Sequence, residues 1–200
     1  MLDNANARAI ASKVVDPLAK ALLRVGLTAN AVTLIASLTV STIVLATWSR
    51  GEFAWGLVLC APMVFGDLLD GTMARLSGQT SAWGSFLDSV MDRVTDAAIL
   101  AAMILYVHAQ GDSAAVAAGL VALASTGLIP YIRAKAESLS IECKVGLMER
   151  SERLFVMGVA GVFAAFGVAE AVGISLFVLA LLNSFTVLQR LLAVRKGISA

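Results

Sequence analysis

Five aspartates fall within thirty residues: Asp67, Asp70, Asp88, Asp92 and Asp96. Two belong to "GDLLDGTMARL", Gly66 to Leu76, and three to the stretch that follows. Residues three or four apart share a helix face, so Asp67 and Asp70 form one ledge and Asp88, Asp92 and Asp96 another. Apolar runs flank both, and a carboxylate at mid-membrane costs about 2.5–3.5 kcal/mol even on the lenient scale. Arg75 and Arg93 can neutralise one each, which leaves at least three. Carboxylate oxygens suit hard divalent ions such as Mg²⁺, Mn²⁺ or Ca²⁺. Four of them can hold two ions, the arrangement that clamps both oxygens of a phosphoryl displacement. The bland alternative is a buried Asp–Arg network without chemistry. Intramembrane ionisable groups mark function by default, and five so close together weigh against it. Gly71 and Ala74 remove bulk beside Asp70, and Gly84 does so before Asp88. That room serves close helix approach, or the approach of a ligand to the backbone.

The elements that position these groups follow from composition. Of 200 residues, 59% are hydrophobic and 14% charged, with a mean hydropathy of +0.87; soluble domains carry about 25% charge. The expectation is an all-α integral membrane protein forming a single domain over 1–200. A span needs about 20 predominantly apolar residues. Six transmembrane helices are predicted: Asn30–Trp48, Phe53–Leu76, Trp83–Val107, Ser113–Leu139, Arg150–Val168 and Val172–Val194. Fourteen of the fifteen Lys and Arg fall on the side of the termini, and only Arg50 on the other. Both termini are therefore expected in the cytoplasm, at the cell membrane. Residues 1–28 precede the bundle of 29–196. Within them Ile10, Val14, Leu18 and Leu22 recur at i, i+4, which predicts an amphipathic helix on the cytoplasmic leaflet. A soluble helix packed on the loops is the plainer reading. No cleavable signal peptide is evident, and Cys60 and Cys143 are expected to be free.

The spacing Asp67, Asp70-Gly71, Ala74-Arg75, Gly84, Asp88, Asp92 fills every fixed position of a long signature. It resembles that of the CDP-alcohol phosphotransferases. "LTANAVTL" is similar to the family's entry to the first span, with Ala29 where proline is usual and Thr28, Asn30 and Thr33 retained. The resemblance implies transfer of a phosphatidyl or similar group from a CDP-linked donor to an alcohol, with release of CMP. It implies Asp67, Asp70, Asp88 and Asp92 as ligands of Mg²⁺ or Mn²⁺, two ions, with Asp92 also the catalytic base. Gly71 and Arg75 then face the CDP part of CDP-diacylglycerol beside Ala74, with Asn30, Thr33 and Ser81 as further donors. Ordinary helix capping would also explain the last three. The resemblance also implies a homodimer. Asp96 lies outside the signature and is expected to pair with Arg93 or with a basic residue of another helix.

The acceptor must be read from "YIRAKAESLSIECKVGLMERSERL", Tyr131 to Leu154. Lys144 and Lys196 suit a positive fringe at anionic lipid. Arg133, Lys135, Arg150, Arg153 and Arg195 suit a pocket for an acceptor with its own phosphate, because arginine matches phosphate geometry. Arg150 and Arg153 share a helix face, whereas Arg133 and Lys135 do not. The stretch is similar to that of the actinobacterial branch of the family, which joins CDP-diacylglycerol to inositol 1-phosphate and yields phosphatidylinositol phosphate. Phosphatidylglycerophosphate synthases, which use glycerol 3-phosphate, usually show Gly-Lys-x-Lys-Thr-x-x-Gln here, and this chain has "GLMERSERL". A divalent-cation transporter is the alternative of another class. It predicts acidic residues across the membrane depth or an inverted repeat, and the sequence shows neither.

Overall fold

The computed structural model describes residues 5–62, 66–78 and 81–199, with side chains from residue 15 onward except at 66–68, 70 and 199. Among them there is helix and no strand. The order is α1 (Ala5–Arg24), α2 (Ala29–Thr47), a 3₁₀ turn (Trp48–Arg50), α3 (Phe53–Cys60), α4 (Gly66–Leu76), α5 (Ala82–Ala109), α6 (Ser113–Ser138), α7 (Arg150–Ala165) and α8 (Glu170–Ser199). The chain divides into two compact units, Met1–Thr42 with Val58–Thr95, and Ile43–Leu57 with Asp96–Ala200.

In the first unit α1 packs on α4, burying Val15 and Ala19 of α1 and Thr72 and Met73 of α4. The face of α1 that packs on α4 is therefore not the stripe predicted to lie on the leaflet. Leu18 is 47% exposed, Leu22 is only part-buried, and the side chains of Ile10 and Val14 lie outside the described residues. The helix carries a second stripe one residue further round, and its small Ala19 is fully buried on the side that packs. The start of α2 shows why Ala29 is tolerated. The Thr28 hydroxyl accepts the Ala31 N–H at 3.2 Å, a cap that begins the helix without proline's preset φ.

Among the described residues, three helical segments are long and apolar enough to cross a membrane: Ala29–Arg50, Ser113–Ser138 and Glu170–Ile198. The sequence predicted six. The second predicted span is divided into an 8-residue α3 and an 11-residue α4, with Pro62 and residues 63–65 between them. The third, α5, has 28 residues but carries Asp88, Asp92, Arg93 and Asp96. The fifth, α7, has 16 residues, short of the ~20 that span the hydrocarbon core.

In the second unit α6 packs along α8. Ala115, Ala118 and Ala122 are buried on α6, and Val172, Leu176 and Leu179 on α8. The buried Asn183 donates from Nδ2 to Thr126 Oγ1 at 2.9 Å, which fixes the register of the pair. Trp48 is 4% exposed and lies against Gly56 and Gly161, where a Cβ would collide with its indole. The 139–149 connection is fastened to α8. Met148 N–H donates to Thr186 Oγ1 at 3.0 Å and Leu147 N–H to Gln189 Oε1 at 3.2 Å. Arg190 donates to the carbonyls of Val145 and Ile129 at 2.9 and 2.6 Å. Both cysteines are free, as expected.

Candidate active site

The predicted metal ledges lie on α4 and α5 of the first unit. Asp67 and Asp70 fall on α4, but their side chains lie outside the described residues. On α5, Asp88 is exposed and the Asp92 side chain is 18% exposed, one turn apart on one face. Arg93 Nη1 stands 3.6 Å from Asp92 Oδ2 and donates to the Ser89 carbonyl at 2.6 Å. Among the described residues no group of three or more metal-type side chains converges; the predicted set of four includes the two that are not described. The donor chemistry fits a hard divalent ion, because all four are carboxylates.

Around these ledges the predicted nucleotide-binding residues behave differently from one another. Arg75 donates from Nη2 to Thr72 Oγ1 at 3.0 Å, so among the described groups its partner is on its own helix. Asn30, Ser81 and Gly84 come together. A Cβ on Gly84 would stand 3.1 Å from Asn30 Oδ1 and 3.4 Å from Ser81 Oγ. Ser81 Oγ also accepts the Gly84 N–H at 3.0 Å, which is the capping role. Thr33 is buried and donates to the Ala29 carbonyl at 3.2 Å. Ala74 is part-buried and Gly71 is exposed.

The predicted acceptor residues divide by burial. Arg133 pairs with Glu137 at 2.9 Å on the surface, and Lys135 and Arg195 are exposed. Lys144 pairs with Glu142 at 2.7 Å, and its hydrogen bond and charge hold the Glu142 carboxyl below its usual range. Arg150 and Arg153 instead meet at one carboxylate, Asp96. Arg153 Nη2 donates to Asp96 Oδ2 at 3.1 Å, and Arg150 Nε stands 3.6 Å from Oδ1. Asp96 and Arg153 are 2% and 3% exposed. Arg133 and Arg153 both lie within Coulombic reach of the buried Arg190. A cavity of about 330 Å³ lined by Tyr106, Asp112, Glu170 and Phe177 includes none of the candidate residues.

The sequence model of the CDP-alcohol phosphatidyltransferase family matches residues 26–185. The chain belongs to this family. It is 41% identical over 196 residues to the phosphatidylinositol phosphate synthase of Cutibacterium acnes, covering 93% of this chain and 94% of that one. It is 38% identical over 201 residues to the enzyme of the same name from Streptomyces avermitilis, covering 96% and 82%. An archaetidylinositol phosphate synthase from Methanothermobacter thermautotrophicus is 36% identical over 188 residues, covering 94% and 91%. The crystal structure of Mycobacterium tuberculosis phosphatidylinositol phosphate synthase with CDP-DAG bound superposes with a TM-score of 0.85 at 30% identity, covering 91% of this chain and 94% of that one. The same enzyme has been solved in complex with manganese and citrate, again with a TM-score of 0.85 at 30% identity, covering 91% and 89%.

This CDP-alcohol phosphatidyltransferase is thus a membrane-integral transferase. Sequence reasoning left one feature open and missed another. Of the two partners expected for Asp96, the basic residue of another helix is the one found, Arg153 lying 57 positions away, beyond any helical spacing. Arg190 gave a signal only as a charge inside an apolar helix, and its guanidinium is used on backbone carbonyls. Gly71, by contrast, lends itself to a direct test. A Cβ there meets nothing within 4 Å among the described residues, so helix packing does not require glycine. Alanine at a helical position adds about 0.5–1 kcal/mol of stability. Gly71→Ala is expected to keep or raise the melting temperature while raising KM for CDP-diacylglycerol at least about tenfold, ~1.4 kcal/mol. Unchanged KM in a CMP-release assay would remove Gly71 from the donor site.

Proposed function

We propose that this enzyme transfers the phosphatidyl group of CDP-diacylglycerol to inositol 1-phosphate, giving phosphatidylinositol phosphate and CMP. The observation that carries this reading is near full-length similarity to synthases whose names differ in the lipid but share inositol phosphate. The basic residues on α6, α7 and α8 support an anionic acceptor.

In the proposed reaction Asp92 accepts the proton of an inositol hydroxyl. That oxygen forms a bond to the lipid-bearing phosphorus, and the bond from that phosphorus to the CMP oxygen breaks. Asp67, Asp70, Asp88 and Asp92 would hold two divalent ions, Mg²⁺ or Mn²⁺. When bound, such ions neutralise the pyrophosphate and stabilise the departing CMP. Asn30, Thr33, Gly71, Ala74, Arg75 and Ser81 bind CDP-diacylglycerol; Gly71 leaves the backbone approachable and Arg75 supplies charge. Arg133, Lys135, Arg150, Arg153 and Arg195 bind the acceptor phosphate. The full proposal keeps six spans in one domain over 1–200, with residues 1–28 on the cytoplasmic leaflet. The short or charged α3–α4, α5 and α7 complete the bundle, because family membership and the charge asymmetry both call for an even number of spans. The termini and the site face the cytoplasm, where the soluble acceptor is found, and the chain works as a homodimer, as the resemblance implies.

The test is a comparison of acceptors. Purified protein with CDP-diacylglycerol and Mg²⁺ or Mn²⁺ is offered inositol 1-phosphate, glycerol 3-phosphate, free inositol or serine, and CMP release is followed. Turnover with inositol 1-phosphate alone is expected. Turnover with glycerol 3-phosphate instead would keep the donor half of the proposal and overturn the acceptor half.

A further inference from the structure

The cavity of about 330 Å³ in the second unit has no part in the proposed reaction. Its volume is at the low end for small-ligand sites, about 300–1,000 Å³. Tyr106 and Val107 line it from the last turn of α5, Asp112 from directly before α6, and Glu170, Ile174 and Phe177 from the opening turns of α8. Ser113–Ser138 and Glu170–Ile198 are both long and apolar enough to cross a membrane. Asp112 and Glu170 therefore stand where two spans begin, and Ile174 and Phe177 lie one and two turns further in. The polar end of the cavity is not neutralised. Asp112 caps α6 through Oδ1, which accepts the Ala115 N–H at 2.9 Å. Its Oδ2 lies against α8 at Gly173, where a Cβ would stand 3.6 Å away. Glu170 suits the positive N-terminus of α8. Among the described residues neither carboxylate has an ion-pair partner, and no Lys, Arg or His lines the cavity. The other end is apolar. Val107 is buried, and Tyr106 is braced edge-on by Phe53, with ring centroids 4.9 Å apart at 89°. Ile174 and Phe177 are 61% and 49% exposed, which leaves the cavity open along a span toward lipid.

Two negative charges at a membrane boundary, above an apolar slot open to lipid, match a cationic amphiphile. We propose that this cavity binds a long-chain alkylamine, with its ammonium group between Asp112 and Glu170 and its chain along Ile174 and Phe177. An ammonium group can donate to both carboxylates at once. Gly173 leaves the room beside Asp112 that the group requires. A zwitterionic headgroup does not match, because no basic side chain meets its phosphate. A bare divalent ion would leave the apolar walls unused and calls for about six or more oxygen ligands. None of the lining residues belongs to the proposed donor or acceptor sets, so the inference is independent of the acceptor's identity.

The experiment photolabels the full-length protein in phosphatidylcholine nanodiscs with decylamine that carries a diazirine in its chain, and maps the adducts by peptide mass spectrometry. Adducts are expected on residues 106–107 and 170–177, and excess decylamine should compete them away where decanol does not. Asp112→Asn keeps a capping side chain, and Glu170→Gln keeps the side-chain size. Each is expected to lower labelling of these residues at least about tenfold, the scale of one charge-assisted hydrogen bond. Gly173→Leu places a side chain in the cavity and is expected to abolish that labelling. CMP release by these variants should stay within about twofold of wild type. Labelling spread evenly over the lipid-facing helices, equal competition by decanol, or unchanged labelling of Asp112→Asn and Glu170→Gln overturns the proposal. Where the variants do not fold, the wild-type competition between decylamine and decanol decides it alone.

Discussion

Asp92→Asn is expected to lower CMP release by about 10²–10⁴-fold, the range of a lost general base, in a protein that still inserts and folds. Asparagine keeps the shape of the side chain and removes the charge and the proton-accepting oxygen. Arg93 adds little that the change would remove, because its ion pair with Asp92 is a loose 3.6 Å contact from a half-exposed guanidinium. Such exposed pairs contribute only about 0–1 kcal/mol. The melting temperature in detergent should therefore move little while turnover collapses. More than a tenth of wild-type turnover at saturating Mn²⁺ would remove Asp92 from both the base and the ligand role.

Arg153→Ala is expected to act first on stability. It leaves Asp96, 2% exposed, as a buried carboxylate whose remaining partner is Arg150 at 3.6 Å. Removing one member of a buried pair costs about 3–5 kcal/mol, whereas replacing both by apolar residues is often neutral. The double variant Asp96→Leu, Arg153→Met should regain most of the lost stability in detergent thermal unfolding and still bind the acceptor poorly. A single Arg153→Ala as stable as wild type would contradict the buried pair described above. This differs from what exposure would make of Arg133 or Arg195, whose removal should leave stability within about 0.5 kcal/mol.

The sequence disclosed its chemistry more readily than its architecture. Signature spacing is a local property, so the ledges on α4 and α5 needed only helical periodicity to anticipate, whereas the gathering of Asn30, Ser81 and Gly84 near the start of α5 is visible only in the fold. The same reasoning placed α2, α5, α6 and α8 within a few residues of their observed ends. It failed where hydropathy ignores breaks. Phe53–Leu76 reads as one apolar run, yet its first α-helix ends at Cys60, two residues before Pro62. On α1 it named one of two apolar stripes, and only the tertiary partner α4 shows that the other, with Val15 and Ala19, is the one buried in the protein. The partners of Asp96 were open for a related reason. A carboxylate inside an apolar helix announces that a cation is near, and only the fold says that Arg93 is not the one. Arg93 bonds to Ser89 and lies beside Asp92, while α7 delivers Arg150 and Arg153.

The indole of Trp48 occupies a slot whose two walls, Gly56 and Gly161, have no side chains of their own. The three positions therefore cannot vary independently through descent. A lineage that enlarges either glycine must first shrink the tryptophan, and one that shrinks the tryptophan opens a void that either glycine is then free to fill. Across diverging relatives these positions should change as a correlated trio, and a chimera that joins the first half of one homologue to the second half of another should fail where the halves carry mismatched members of it.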